Sequence, residues 1–109
     1  MSKCVFKVSV SPLEALHIVK TQQDADLIHE EIHDLGNKKY IGTLVFEKYF
    51  MRVGNRAALV VTSDNLNGET EVRAIATGSS EGFFFKFDWG AADDFAISVK
   101  EILKDYIIK

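Results

Sequence analysis

This chain has little cysteine, little proline, no run of lysine or arginine and no long apolar stretch. Each shortage excludes something. A single cysteine, Cys4, cannot form an internal disulfide or a thiolate-rich metal site. With 13 basic against 16 acidic residues and no basic run, no surface is expected to follow a nucleic-acid backbone. No segment approaches the ~20 consecutive apolar residues needed to span a bilayer. The opening MSKCVFKVSV also lacks the apolar region of a secretory leader. A cytoplasmic protein without membrane or nucleic-acid partners is expected.

The chain is rich in bulk for a core. Eight Phe, three Tyr and one Trp in 109 residues suit a single α+β domain over 1–109. Residues 4 to 10 alternate Cys4, Phe6, Val8 and Val10 against polar neighbours, the period of a half-buried strand. Ser11, Pro12 and Glu14 then form a helix start: a capping hydroxyl, a proline at the first helical position and a capping-box acid. The helix is predicted to run to about Gln23, with Leu13, Leu16 and Val19 inward. Residues 39 to 53 form the longest strand signal. Leu44, Phe46 and Phe50 lie on one face of it, and Ile41, Val45, Tyr49 and Met51 on the other. Turns at 53–56 and 64–68 separate strands at 56–63 and 69–77, an antiparallel meander. Residues 83 to 89 suggest a last short strand. From Ala91 to about Ile107, Phe95, Val99, Ile102, Leu103 and Tyr106 mark one face of a terminal helix.

One motif carries chemistry on its face. Residues 29 to 33 read HEEIH, the H-E-x-x-H pattern of zinc peptidases. That chemistry needs a helix, on which His29 and His33 share a face and Glu30 acts on metal-bound water. Gly36 extends the match, but Lys39 stands where the longer pattern has its third histidine. Only 28 residues precede the motif, too few for the usual sheet and backing helix. Ala25, Ile28, Ile32 and Leu35 suit a helix stripe, yet Gly36-Asn37 also suits a hairpin loop leading into the strand at Lys39. In a strand the two histidines would lie ~13 Å apart along the chain. The sequence leaves helix and strand open over 24–35. The bland reading, a solvated polar face with no metal and no cofactor, is preferred.

Other candidate residues are weaker. GSSEG at 78–82 lacks the spacing of a phosphate-binding loop, and Ser79 and Ser80 have no evident His/Asp partners. In the run from Phe83 to Trp89, alternation places Phe84 opposite the other aromatics, where it could mark an apolar site. Arg52 and Arg56 flank a turn and could grip an anion, but pairing with Glu47, Glu71 or Asp88 is the simpler expectation.

The stretches LVFEKYFMRVGNRAALVV and ATGSSEGFFFKFDWGAADDF resemble a family of short bacterial proteins, mostly from Gram-positive anaerobes, described only as a domain of unknown function. The resemblance rests on the FEKYFMR strand, the GNR turn and the FDWGA entry to the last helix. It implies a free-standing domain and brings no catalytic residues.

The element order β-α-β-β-β-β-(β)-α predicts an antiparallel sheet with helices packed on one face, similar to a shortened helix-grip fold. The leading functional expectation is a non-enzymatic domain holding a small apolar or anionic ligand near Tyr49, Arg52, Arg56, Phe84 and Trp89. The alternative is a protein-interaction or homo-oligomerisation module, because strand 40–53 is apolar on both faces and the helices cover one.

Overall fold

A computed structural model describes residues 2–51, 54–78 and 89–108. Its elements follow the expected order: β1 (Ser2–Val8), α1 (Pro12–Gln22), β2 (Asp26–Asp34), β3 (Tyr40–Phe50), β4 (Asn55–Asp64), β5 (Thr70–Gly78) and α2 (Trp89–Ile102), with a 3-10 turn over Lys104–Tyr106. The five strands form one antiparallel sheet in the order β1-β5-β4-β3-β2. This is an α+β architecture. The first strand joins the last, so the chain closes its sheet at β1–β5 and leaves β2 alone at the far edge.

Sidedness follows from the register. The row Ile32–Gly42–Ser63–Val72–Phe6 crosses all five strands on the helix-bearing face. Leu44, Phe46, Leu59, Val61, Ala74 and Ala76 fill that face and are buried against both helices. The opposite face carries the row His29–Val45–Val60–Ile75–Lys3. Val45, Val60 and Ile75 on it are half-buried, whereas their neighbours on the core face are fully buried.

α1 starts as its sequence dictates, with the Ser11 hydroxyl accepting from Glu14 N at 3.2 Å and Pro12 in the first turn. It buries Pro12, Ala15, Leu16 and Val19, while Leu13 stays only half-buried. Gly42 sets how closely α1 approaches: a Cβ there would collide with Leu16 Cδ1 and lie 3.1 Å from the Glu31 carbonyl oxygen. In α2 the buried stripe is Ala92, Phe95, Ala96 and Val99, continued by Leu103 just beyond the helix, and Phe95 meets Phe50 edge-on at 5.2 Å.

Two expectations change. The terminal helix begins at Trp89 and ends at Ile102 rather than near Ile107. Beyond it the chain turns to hydrogen-bond with the end of β1 and the residue after it, through Ser9 N to Tyr106 O at 2.8 Å and Ile108 N to Lys7 O at 2.9 Å. Those backbone bonds and the half-buried Ile107 outweigh another helical turn. The short strand expected over 83–89 ends inside α2 at Trp89, and residues 83–88 lie outside the described residues. No helix among the described residues is long and apolar enough to cross a membrane.

Candidate functional site

The HEEIH segment is a strand, and that decides its chemistry. β2 pairs with β3 antiparallel, with one irregularity between Leu27 and His29. The hairpin tip has three successive residues at positive φ, Gly36, Asn37 and Lys38. Gly36 takes this conformation without a Cβ penalty, and asparagine tolerates it better than most residues. Asp34 Oδ1 accepts from Gly36 N at 2.9 Å to start the turn. Such a tip ends the helix reading of 24–35.

Alternation along β2 separates the residues a zinc peptidase would need together. His29, Glu31 and His33 occupy one face, and Glu30 the other. Glu30 instead accepts from Lys20 Nζ of α1, at 3.0 and 3.3 Å to its two oxygens. Both imidazoles lean toward Glu31, with Nε2 distances of 3.4 Å from His29 and 3.9 Å from His33. Among the described residues no group of three His, Cys, Asp or Glu side chains is placed to hold a metal ion. Glu47 and Glu69, the acids nearest in kind to a third ligand, are held by Arg56 and Lys7.

The residues singled out for ligand binding are partly gathered. Tyr49 and Arg56 oppose each other across β3 and β4, on the face away from the helices. Both line an open hollow of about 310 Å³, whose rim includes Asp24, Asp26, Glu47 and Lys48. Its cations are engaged. Arg56 Nε donates to Glu47 Oε1 at 2.6 Å and its Nη2 lies 3.8 Å from Asp26, as the expected Glu47 pairing requires. Lys48 Nζ is 3.4 Å from Asp24 and 5.5 Å from the centre of the Phe50 ring. An incoming anion would have to compete with three carboxylates for two cations. Arg52 and Phe84 lie outside the described residues, and for Trp89 only the backbone position at the start of α2 is described.

The geometry brings forward a different feature, the outer edge of β2, with which no strand among the described residues pairs. All nine of its residues are exposed. Leu27, Ile28, Ile32 and Leu35 are four of the eleven large apolar side chains exposed among the described residues, gathered in nine positions of chain. Two residues overlooked in the sequence hold this edge in place. Lys20 neutralises Glu30 from the helix side. Asn65, in the β4–β5 turn, accepts from Tyr40 N at 2.9 Å and donates to Lys38 O at 2.9 Å, fastening the base of the β2–β3 hairpin. The DNLNG turn signal marked Asn65 as a turn residue, but its partners are some 25 positions away and left no local trace.

No curated protein and no solved structure matches the chain. The model of a family of unknown function, DUF6054, matches residues 2–107, and the chain belongs to that family.

Proposed function

We propose that this protein is a non-enzymatic interaction module of the cytoplasm that works by offering the β2 edge as a template for strand addition. The observation that carries the reading is an edge strand exposed at all nine positions, with Ile28 and Ile32 58% and 47% accessible. An unpaired edge presents a row of N–H and C=O groups, and an added strand gains affinity from those groups and specificity from alternate side chains. Solitary apolar side chains at a surface are unremarkable, but a cluster on an open edge is the usual mark of a partner site.

The test is a photo-crosslinking residue placed at Ile32 of the full chain in living cells, with the exposed Leu66 as control. The reading predicts a protein adduct from position 32 and none from position 66. No adduct at 32 with any polypeptide, the chain itself included, would overturn it.

The hollow beside Tyr49 and Arg56 supports a second reading, a small-ligand site, because its volume suits a small molecule. That reading requires Tyr49→Ala to abolish binding of a small carboxylate in a thermal-shift screen.

A further inference from the structure

We infer that β2 takes as its partner the β2 strand of a second copy of this chain, antiparallel about a two-fold axis at Glu30, so that two five-stranded sheets join into one of ten. The inference rests on the reading of β2 as a partner surface and adds the identity and register of the partner.

The two edges of the sheet are treated differently. β1 is covered along the end of its free side, by the Val8–Ile107 bridge and the bond from Ile108 N to Lys7 O. It also carries Lys3 and Lys7, the charge most often used to protect an edge. Among the described residues nothing covers the outer edge of β2 over 28–32, and that segment carries no lysine. The irregularity of β2 lies between Leu27 and His29, at the start of the segment 28–32 that would pair.

Self-pairing also constrains the register. In a two-fold antiparallel pair the faces of both strands coincide, so each residue opposes one of its own parity. Centring the axis on Glu30 sets Ile28, which the ladder to β3 skips, opposite Ile32 of the second copy, twice, with Ile32 on the helix-bearing face. It sets His29 opposite Glu31 of the second copy, twice, on the other face. Directly opposed side chains come within about 4.5–5.5 Å at Cβ, close enough for both contacts. An imidazole N–H can donate to a carboxylate whether the ring is neutral or charged. Within one chain His29 already lies 3.4 Å from Glu31.

Neighbouring registers are worse. Centring on His29 opposes Ile28 to Glu30. Centring on Glu31 opposes His29 to His33 and Ile32 to Glu30. Centring on Ile32 opposes Glu30 to Asp34 and leaves Ile28 unmatched. The Glu30-centred register brings two Glu30 carboxylates together on the axis, and carried to the full length of β2 it would also oppose Asp26 to Asp34 at both ends. Lys20 offsets the first, because each Glu30 carboxylate is already held through both oxygens by a lysine of its own chain, and the second is avoided when the pairing is confined to residues 28–32. Centring on Ile32 also gives an apolar pair, Ile32 with itself, and two Glu31–His33 pairs, so the Glu30 register is preferred for using both isoleucines and avoiding the two Glu30–Asp34 contacts.

An edge pairing of this length lies at the small end of specific interfaces, so association in the micromolar range is expected. Sedimentation equilibrium of the full chain from about 1 to 500 µM should show a mass rising from 12.2 kDa toward twice that value. Ile32→Lys and Lys20→Glu should each weaken association at least tenfold, and Val5→Lys on β1 should leave it unchanged. The melting temperature of each variant, taken at low concentration, reports that it folds. In a Cys4→Ser background, a short bis-maleimide should join Glu30→Cys chains into dimers and leave Asp26→Cys chains single. A monomer throughout the range, or a dimer indifferent to both weakening variants, overturns the inference. Monomeric behaviour with an adduct to another protein at position 32 in cells overturns the self-pairing alone, whereas no adduct and no dimer overturn the edge reading with it.

Discussion

His29 and His33 show how one residue pattern changes meaning with backbone conformation. On a helix they would converge on a metal with Glu30 beside them; on β2 the alternation sends Glu30 to the opposite face and into Lys20. The two imidazoles are more than half exposed and have only Glu31 between them. Replacing both by alanine is therefore expected to change the stability of the monomer by no more than ~0.5 kcal/mol. Zinc affinity should match that of an unstructured peptide, as read by titration of untagged protein. Stoichiometric zinc retained through purification and lost in the double variant would contradict this assignment. The motif was legible as letters, and its strand context was legible only as one of two alternatives, because Gly36-Asn37 and the stripe from Ala25 to Leu35 point different ways.

At the scale of elements, the local signals in the sequence were dependable where they were local. The Ser11-Pro12-Glu14 start of α1 and the alternation of β1, β3, β4 and β5 appear at nearly the expected residues. What the sequence could not display were contacts made at long range: the end of α2 at Ile102, set by β1, and the seat of Leu16 on Gly42. Gly42→Ala should force the buried Leu16 off its position against the sheet and cost ~1–3 kcal/mol, seen as a lower urea midpoint. A midpoint unchanged within error would mean that α1 can ride outward freely. Asn65→Ala removes two side-chain bonds between the β4–β5 turn and the hairpin. It is expected to cost ~1–3 kcal/mol and to speed amide exchange at Tyr40 above all other positions of β3. Uniform acceleration along β3 would instead show that the clamp is not local.

The whole molecule has an uneven distribution of cover. Both helices lie on one face, the terminal segment shields part of the β1 edge, and among the described residues β2 stands free on the far side. The expectation of surplus apolar surface on strand 40–53 is met in Ile41 and Val45, half-buried on the face away from the helices. The edge itself was not legible in the sequence, since strand order depends on which strands meet across the whole chain. Ile28 and Ile32 looked like the inner stripe of a helix until β2 was placed at the rim. The central claim is that this rim is completed by a second copy. Its most direct test is amide hydrogen exchange measured residue by residue at low micromolar and at several hundred micromolar chain. Concentration should slow exchange at alternate amides within residues 28–32 and leave β1 and β4 unchanged. Equal exchange in β2 at both concentrations, or slowing confined to β1, would contradict the account.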